Sequence, residues 1–316
     1  MTAIDGLFDL QVNGFAGVDF NDGTITADAM DHALAAMRAC GVSHCLPTLI
    51  TAPADVLATR LAALDEAVVG SRFRGMVPGF HLEGPFLNPA PGYAGCHPAE
   101  AMVAPDAGLL DRLCAITRRP VLLVTLAPEL PGALALIRHA VGRGIVVALG
   151  HTAADRPTIE AAAEAGATLS THLGNALPQP QPKFDNPLMA QLAEDRLTAM
   201  FIADGIHVPP HALRAMIRAK RDAILVTDAT AAAAVPPGRY RFAATTIERD
   251  AEGRVHETGS PRLAGSALTL DTAVRNIVIW AIAPLPTALR YARDNPRAVL
   301  QAALAAHDIT LLSGQS

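Results

Sequence analysis

The chain has 316 residues, of which 51% are apolar and 17% charged, and its formal net charge is −5. This amount of apolar material excludes a disordered protein and is enough for one large core. The mild charge, without a run of Lys or Arg, argues against a nucleic-acid or anionic-membrane surface. Four cysteines without a CxxC pair, and an N-terminus without a signal-like segment, predict a cytoplasmic protein.

Short apolar runs alternate along the chain with Ala- and Leu-rich stretches of helical spacing. Eight runs are predicted as strands: Leu7 to Val12, Ser43 to Leu49, Met76 to Leu82, Val121 to Leu126, Ile145 to Leu149, Thr168 to Thr171, Ala199 to Ile202 and Ile224 to Thr227. Seven stretches between them are predicted as helices: Ala27 to Cys40, Ala54 to Val69, Asp106 to Thr117, Gly132 to Val141, Arg156 to Ala165, Pro187 to Glu194 and Pro209 to Lys220. Parallel strands with helical crossovers predict an α/β fold, the (β/α)8 TIM barrel.

The pattern changes after the eighth predicted strand. Alternation from Tyr240 to His256 predicts a β-hairpin insertion near residues 236–262. Two closing helices are predicted within residues 266–307: Ser266 to Ile282 and Asn295 to His307. Asn295 is predicted as the N-cap of the second, with Pro296 at its first position. We therefore predict one barrel domain over residues 1–316.

Ionisable side chains follow several predicted strands, at a position where buried barrel strands should be apolar. Four of them should meet at one mouth of the barrel: Glu83, His151, His172 and Asp228. The steps from His151 to His172, to Asp204 and to Asp228 are each about one βα unit. One carboxylate and two imidazoles form the ligand set of a catalytic zinc site with an open position for water. Zinc is therefore favoured, with iron, manganese and cobalt as further candidates. Asp228 is then placed to act as general base and acid in amide cleavage.

Each of these residues also has a simpler interpretation. A single strand-end His is more often a hydrogen-bonded structural group, Glu83 could cap a turn, and Asp228 could be an N-cap. The coincidence of four such residues at four strand ends favours the metal site, because random placement would scatter them through helices and loops.

Several segments resemble the N-acetylglucosamine-6-phosphate deacetylases of the amidohydrolase superfamily, in family order along nearly the whole chain. They are Asp9-Leu-Gln-Val-Asn-Gly14, His81-Leu-Glu-Gly-Pro-Phe86, Leu126-Ala-Pro-Glu129, Gly150-His-Thr152, Thr171-His-Leu-Gly-Asn-Ala176, Ala203-Asp-Gly-Ile-His207, Val226-Thr-Asp-Ala229 and Leu263-Ala-Gly-Ser266. Each motif alone is weak, but the series together is highly specific.

The resemblance implies that Glu83, His151 and His172 hold the metal and that Asp228 is the acid and base. It also implies that His97 and His207 contact the sugar or its acetyl group, and that Asn175 and Ala176 help hold a phosphate. His97 could instead be an ordinary loop residue, His207 a loop-to-helix contact and Asn175 a turn former.

Many superfamily members carry an HxH pair at the end of strand one, where this chain has Gln11 and Asn13. Amide side chains are poor ligands beside carboxylate and imidazole, so one tightly bound divalent metal is predicted. Gln11, Asn13 and Asp204 are then polar residues of the barrel mouth.

Three departures from the family pattern stand out. The segments that form the family's small β-sandwich domain are missing, so the predicted fold is a barrel without it. Gly174 stands where the family has an aromatic residue. The loop after strand six, Leu177 to Pro187, offers only Lys183 where the family has a phosphate-binding Arg that reaches into the neighbouring subunit. A Lys at this position can bind phosphate, but it lacks the bidentate fork of Arg.

The predicted function is metal-dependent hydrolysis of the N-acetyl group of an amino sugar, in first place N-acetylglucosamine-6-phosphate. Alternatives are an unphosphorylated N-acetyl sugar, another amide or cyclic amide, a deaminase and, most distantly, a non-catalytic binding protein. The expected partners are a small amino-sugar substrate and, by analogy with the family, a second copy of the chain in a homodimer.

Overall fold

The computed structural model describes residues 4–311, which contain a barrel of eight parallel strands. The strands are β1 Leu7–Val12, β2 Val42–Ile50, β3 Phe80–Glu83, β4 Val121–Leu126, β5 Val146–Leu149, β6 Leu169–Ser170, β7 Thr198–Ile202 and β8 Ala223–Val226. Each strand pairs with the next in chain order. Nearly all their residues are buried, as expected for strands packed on both faces. The predicted barrel is confirmed.

Helices follow the strands and cover the outside of the barrel. They are α1 Ala27–Ala39, α2 Ala54–Gly70, α3 Ala107–Cys114, α4 Ala133–Gly142, α5 Arg156–Glu164, α6 Pro187–Ala193, α7 Pro210–Ala219 and α8 Leu270–Ile279. Short 3-10 turns lie at Arg74–Met76 and Ala99–Ala101. The side chains of Thr26, Asp106, Asp155 and Asn186 cap four of the helices by accepting a backbone N–H. No helix within residues 4–311 is long and apolar enough to cross a membrane.

The barrel closes between its first and last strands. The Asp228 amide donates to Gln11 O at 2.9 Å, and the Asn13 amide donates to Ala229 O at 2.7 Å. At Gly14 the backbone packs tightly against two other segments: an added Cβ would lie 2.5 Å from Val18 O and 2.8 Å from the Ala231 amide nitrogen. Only glycine fits there without moving backbone. Gln11, Asn13 and Asp228 are thereby held in register at one edge.

Asp9 lies inside this seam and is 1% exposed. Its carboxylate accepts from the Thr227 hydroxyl at 2.6 Å and from the Thr227 amide at 3.2 Å. Burial raises the pKa of Asp9 to about 7, although these hydrogen bonds oppose the rise. The carboxyl therefore keeps its proton in the folded protein over a range of pH where the unfolded chain has lost it.

We expect Asp9→Asn to change how stability depends on pH. Between about pH 4 and pH 7 the folded state binds one more proton at Asp9, so the wild-type free energy of unfolding falls as pH rises. Relative to the variant, the loss across this window is about 4 kcal/mol. Urea unfolding of both proteins from pH 4 to pH 8 measures the difference. If the free energies of unfolding of the two proteins changed in parallel with pH between pH 4 and pH 7, the pKa of Asp9 would not be raised in the folded state.

The predicted hairpin insertion is a three-stranded antiparallel sheet, with β9 Gly238–Phe242, β10 Thr245–Arg249 and β11 Val255–Glu257. The alternating pattern marked the strands, but it missed the tight turn at Ala243 and Ala244, where Ala243 has a φ of 53°. Apart from this sheet and a ribbon pairing Gly14–Phe15 with Val18–Asp19, the described residues contain only barrel strands. The barrel without a β-sandwich is thus what residues 4–311 form, while residues 1–3 and 312–316 of the predicted domain lie outside the description.

The first closing helix begins later than predicted, and the second continues a helical run that the prediction lacked. Helix α8 begins at Leu270 because Ser266 still pairs with the barrel edge, donating its amide to Asp228 O and accepting from Thr230.

The N-cap prediction for Asn295 is wrong. Helix α9 Leu285–Leu289, a π-helical turn Arg290–Asp294 and helix α10 Asn295–Ala306 form one continuous run. Asn295 has helical dihedral angles, and its side chain donates instead to Asp222 and to Ala223 O. The wide turn accommodates Pro296, which has no N–H to donate to the preceding turn.

Candidate active site

The four predicted strand-end residues meet at the carboxyl end of the barrel. Glu83 is the last residue of β3, and it is 2% exposed. His151 and His172 follow β5 and β6 and are also buried, and Asp228 follows β8. Burial alone raises the pKa of Glu83, but the adjacent imidazoles of His151, His172 and His97 outweigh burial and hold it well below its usual value.

Three potential ligand atoms converge on one point. Glu83 Oε1 lies 2.9 Å from His172 Nε2 and 3.3 Å from His151 Nε2, and the two imidazole nitrogens are 3.2 Å apart. An ion held tetrahedrally at zinc–ligand distances places its ligands roughly 3.3 Å from one another. The arrangement can therefore hold a metal ion.

The backbone adopts left-handed dihedral angles at three of the four residues. The φ angles are 51° at His151, 23° at His172 and 50° at Asp228. Such angles are uncommon for residues other than glycine and cluster at functional sites. Each strand therefore ends in a sharp backbone turn at the residue that supplies a functional group.

His151 and its neighbours are fixed by contacts from other loops. Its Nδ1 donates to Tyr93 O at 2.8 Å, which leaves the lone pair on Nε2 directed at Glu83. The next residue, Thr152, donates its hydroxyl to Glu129, which also accepts the Asn88 amide group at 2.8 Å. Asn88 in turn donates its backbone N–H to His151 O at 3.1 Å. The loop after β3 is thereby tied to the loop after β5.

His97 is a second imidazole that reaches Glu83, and Glu83, His97 and His151 form an alternative group of potential ligands. His97 Nε2 lies 3.5 Å from Glu83 Oε2. The Thr51 amide lies 3.4 Å from His97 Nδ1 and can only donate, which favours the proton on Nε2. Burial, together with the nearby His151, lowers the pKa of His97 to about 4. The neutral ring is then a donor towards Glu83.

Asp228 is held by the two amide side chains predicted at the barrel mouth. Asn13 donates to Asp228 Oδ1 at 2.6 Å, and Gln11 donates to the same oxygen at 3.3 Å and to Glu83 at 2.9 Å. Burial, with the nearby Glu83 carboxylate, raises the pKa of Asp228 to about 6. The acceptor oxygens of both amides are buried without a partner among the described residues. Buried acceptors of this kind are normally satisfied by water or by a ligand.

Most of the remaining predicted residues lie around a cavity of about 1180 Å³ above this cluster. The predicted residues in its wall are Asn13, Glu83, His97, His151, His172, Asn175, Ala176, His207 and Asp228. Asp204 lies behind His207 and accepts from its Nδ1 at 2.6 Å. Neither Lys183 nor Gln11 lies in the described wall. Lys183 is exposed, whereas Gln11 is buried.

Known proteins resemble the chain over most of its length. It is 35% identical to N-acetylglucosamine-6-phosphate deacetylase of Bos taurus, over 93% of this chain and 73% of that protein. It is 35% identical to N-acetylgalactosamine-6-phosphate deacetylase of Escherichia coli O157:H7, over 85% of this chain and 70% of that protein. The chain belongs to the N-acetylglucosamine-6-phosphate deacetylase family.

Solved structures agree with this assignment. A mutant N-acetyl-D-glucosamine-6-phosphate deacetylase from Mycobacterium smegmatis, in complex with N-acetyl-D-glucosamine-6-phosphate, matches with a TM-score of 0.85 and 32% identity, over 94% of this chain and 77% of that one. The Pasteurella multocida deacetylase matches with a TM-score of 0.84 and 29% identity, over 98% and 79% of the two chains. No protein-family model matches the sequence. The predicted family and the predicted enzyme class, a deacetylase of the amidohydrolase type, are confirmed.

Gly174 departs from the deacetylase pattern, and its backbone has a φ of 100°. A Cβ at this position would lie 3.1 Å from Met216 Cε and 3.2 Å from Val208 Cγ2. Met216 and Val208 therefore pack directly against the Gly174 backbone.

Sequence reasoning missed three contributions to this deacetylase site. Glu129 was part of a family motif, and its position after β4 at the same rim was a usable signal. The Tyr93 carbonyl gave no signal, because any residue offers a carbonyl. The three-stranded sheet was predicted only as an insertion, yet Phe242, Arg254 and Glu257 from it line the cavity.

Proposed function

We propose that this chain hydrolyses the N-acetyl amide of N-acetylglucosamine-6-phosphate to give acetate and glucosamine 6-phosphate. The observation that carries the proposal is the convergence of Glu83 Oε1, His151 Nε2 and His172 Nε2 within 3.3 Å of one another, beside the partly buried Asp228 carboxyl. The names of the similar proteins supply the substrate class, an N-acetylamino sugar 6-phosphate.

Glu83, His151 and His172 would hold one divalent ion, with zinc favoured by a set of one carboxylate and two imidazoles. Such an ion would polarise the acetyl carbonyl and make a water molecule more acidic. The fit rests on the ligand spacing and on the Tyr93 carbonyl, which leaves His151 Nε2 unprotonated. His97, with its proton on Nε2, is better suited to donate a hydrogen bond to the acetyl oxygen than to bind the ion.

Asp228 would carry the proton through the reaction. As a carboxylate it accepts a proton from the water that attacks the acetyl carbon. It then donates this proton to the sugar nitrogen as the carbon–nitrogen bond breaks, which releases acetate and the amine. A pKa near 6 suits both roles close to neutral pH. Asn13 and Gln11 keep the carboxyl directed at the cavity.

Asn175 and Ala176, in the loop after β6, and His207, in the loop after β7, would bind the sugar and its phosphate. Asp204 holds His207 in place through the 2.6 Å contact with Nδ1. Asn175 donates its side chain to His172 O at 2.8 Å, which links substrate binding to the position of a metal ligand. Lys183 stays a prediction, as do the homodimer and the cytoplasmic location.

Acetate release tests the proposed function. We expect purified protein with about one zinc per chain to release acetate from N-acetylglucosamine-6-phosphate. N-acetylgalactosamine-6-phosphate and unphosphorylated N-acetylglucosamine are assayed beside it to define the sugar and the role of the phosphate. A metal-loaded protein that releases acetate from none of the three sugars would contradict the proposal.

A further inference from the structure

The cavity wall away from the reacting groups carries three arginines, Arg60, Arg254 and Arg262. Arg60 is largely buried, and the carboxylates of Asp19 and Asp22 compensate its charge. Arg254 lies on the turn before β11, and Arg262 follows that strand. The three-stranded sheet and the segment after it therefore bring positive charge to the cavity.

Arg262 is the arginine whose position is tied to the reacting centre. Its Nη1 donates to Gly95 O at 3.2 Å. Gly95 packs against the centre, since a Cβ on it would lie 3.1 Å from His151 Cε1 and 3.7 Å from Ala176 Cβ. Gly95 thus lies between the Arg262 guanidinium group and two other residues: His151, a candidate metal ligand, and Ala176, a candidate phosphate-binding residue.

The guanidinium group of Arg262 retains donors for a ligand. It has five N–H groups, of which one is directed at Gly95 O. The Glu257 carboxylate lies 3.9 Å away, which is too far for a hydrogen bond. Arg262 is more than half exposed, at 57% for its side chain, so an anion in the cavity can reach it.

We propose that Arg262 binds the phosphoryl group of the substrate within the same chain, an inference that rests on the proposed function. The planar fork of an arginine matches two phosphate oxygens. A cation on the sheet wall holds the phosphoryl end there and leaves the acetamide end free to reach the reacting centre. Arg254 also lies in this wall, but the contact with Gly95 O holds Arg262 beside His151. We therefore assign the phosphoryl group to Arg262, where the sequence suggested Lys183.

Arg262→Gln tests the assignment, with Arg239→Gln as a matched control. Arg239 lies on β9, is 68% exposed and pairs with Glu248 outside the described cavity wall. Losing a charge-assisted hydrogen bond weakens binding about tenfold to a hundredfold. We expect Arg262→Gln to raise KM for N-acetylglucosamine-6-phosphate by that factor with kcat little changed, and Arg239→Gln to leave both at wild-type values. Calorimetric binding of glucosamine 6-phosphate and of glucosamine gives a readout independent of turnover, in which only the phosphorylated amine loses affinity.

The remaining outcomes separate failure of the inference from failure of the proposed function. If wild type cleaves the phosphorylated sugar and Arg262→Gln behaves like Arg239→Gln, Arg262 does not bind phosphate and the proposed function stands. If Arg262→Gln weakens binding of glucosamine and glucosamine 6-phosphate equally, its role is structural, and the inference is overturned. If wild type neither cleaves the sugar phosphate nor binds glucosamine 6-phosphate, both are overturned.

Discussion

Replacing Asp228 by Asn is expected to lower kcat for acetate release by about a hundredfold to ten-thousandfold, the usual contribution of a general acid–base group. Asn has nearly the same shape, and its side-chain oxygen still accepts the hydrogen bond that Asn13 donates at 2.6 Å. It can neither take a proton from water nor give one to the leaving amine. The loss should therefore fall on kcat, with KM and the bound metal largely unchanged.

The measurement is steady-state kinetics combined with metal analysis of the same samples. Asp111→Asn is a suitable control for the chemical change, because Asp111 lies on α3 and pairs with His139 and Arg143 at the surface. Retention of more than about a tenth of the wild-type kcat by Asp228→Asn would assign the proton transfer to another group.

The second large effect concerns the choice between two sets of metal ligands. His172→Asn is expected to abolish tight zinc binding and to lower kcat/KM by about a thousandfold, since a bound ion lowers the barrier by several kcal/mol. His97→Asn is expected to keep the zinc and to raise KM instead, because the His97 proton is directed at Glu83 rather than at an ion. Asn tolerates left-handed dihedral angles, so the φ of 23° at His172 adds little strain to the variant.

Zinc content after dialysis, measured for both variants and for wild type, decides between the two sets. Wild type treated with a chelator should lose activity and regain it with added zinc, which verifies that metal loss is reversible. Retention of zinc by His172→Asn together with its loss from His97→Asn would instead assign the ion to Glu83, His97 and His151.

The barrel was predictable because its local signals agree with its tertiary structure. Strands buried on both faces read as unbroken apolar runs, and side chains such as Thr26 and Asp155 mark the helix starts. The candidate site was predictable for the same reason, since polar residues at the ends of such strands stand out.

The errors arose where contacts between distant segments override a local pattern. Asn295 followed by Pro296 has the composition of a helix start, yet the pairing of Asn295 with Asp222 and Ala223 places it inside a longer helix. The contact of Arg262 with Gly95 joins segments far apart in the chain, and it depends on loop paths that no periodicity encodes. The cavity wall is formed by loops and depends on such long-range contacts, whereas the barrel strands are predictable from local sequence patterns.

The left-handed backbone at His151, His172 and Asp228 lowers the stability of the fold at the residues proposed to carry the reaction. Each such residue costs the fold about 1 kcal/mol or more relative to a conformation that its side chain prefers. Glycine at any of the three positions would relieve that cost and at the same time remove a proposed metal ligand or the proposed proton carrier. Selection for thermal stability alone would favour glycine at these positions and so remove the reacting groups. A thermostable variant that keeps its activity therefore needs stabilising substitutions elsewhere in the barrel.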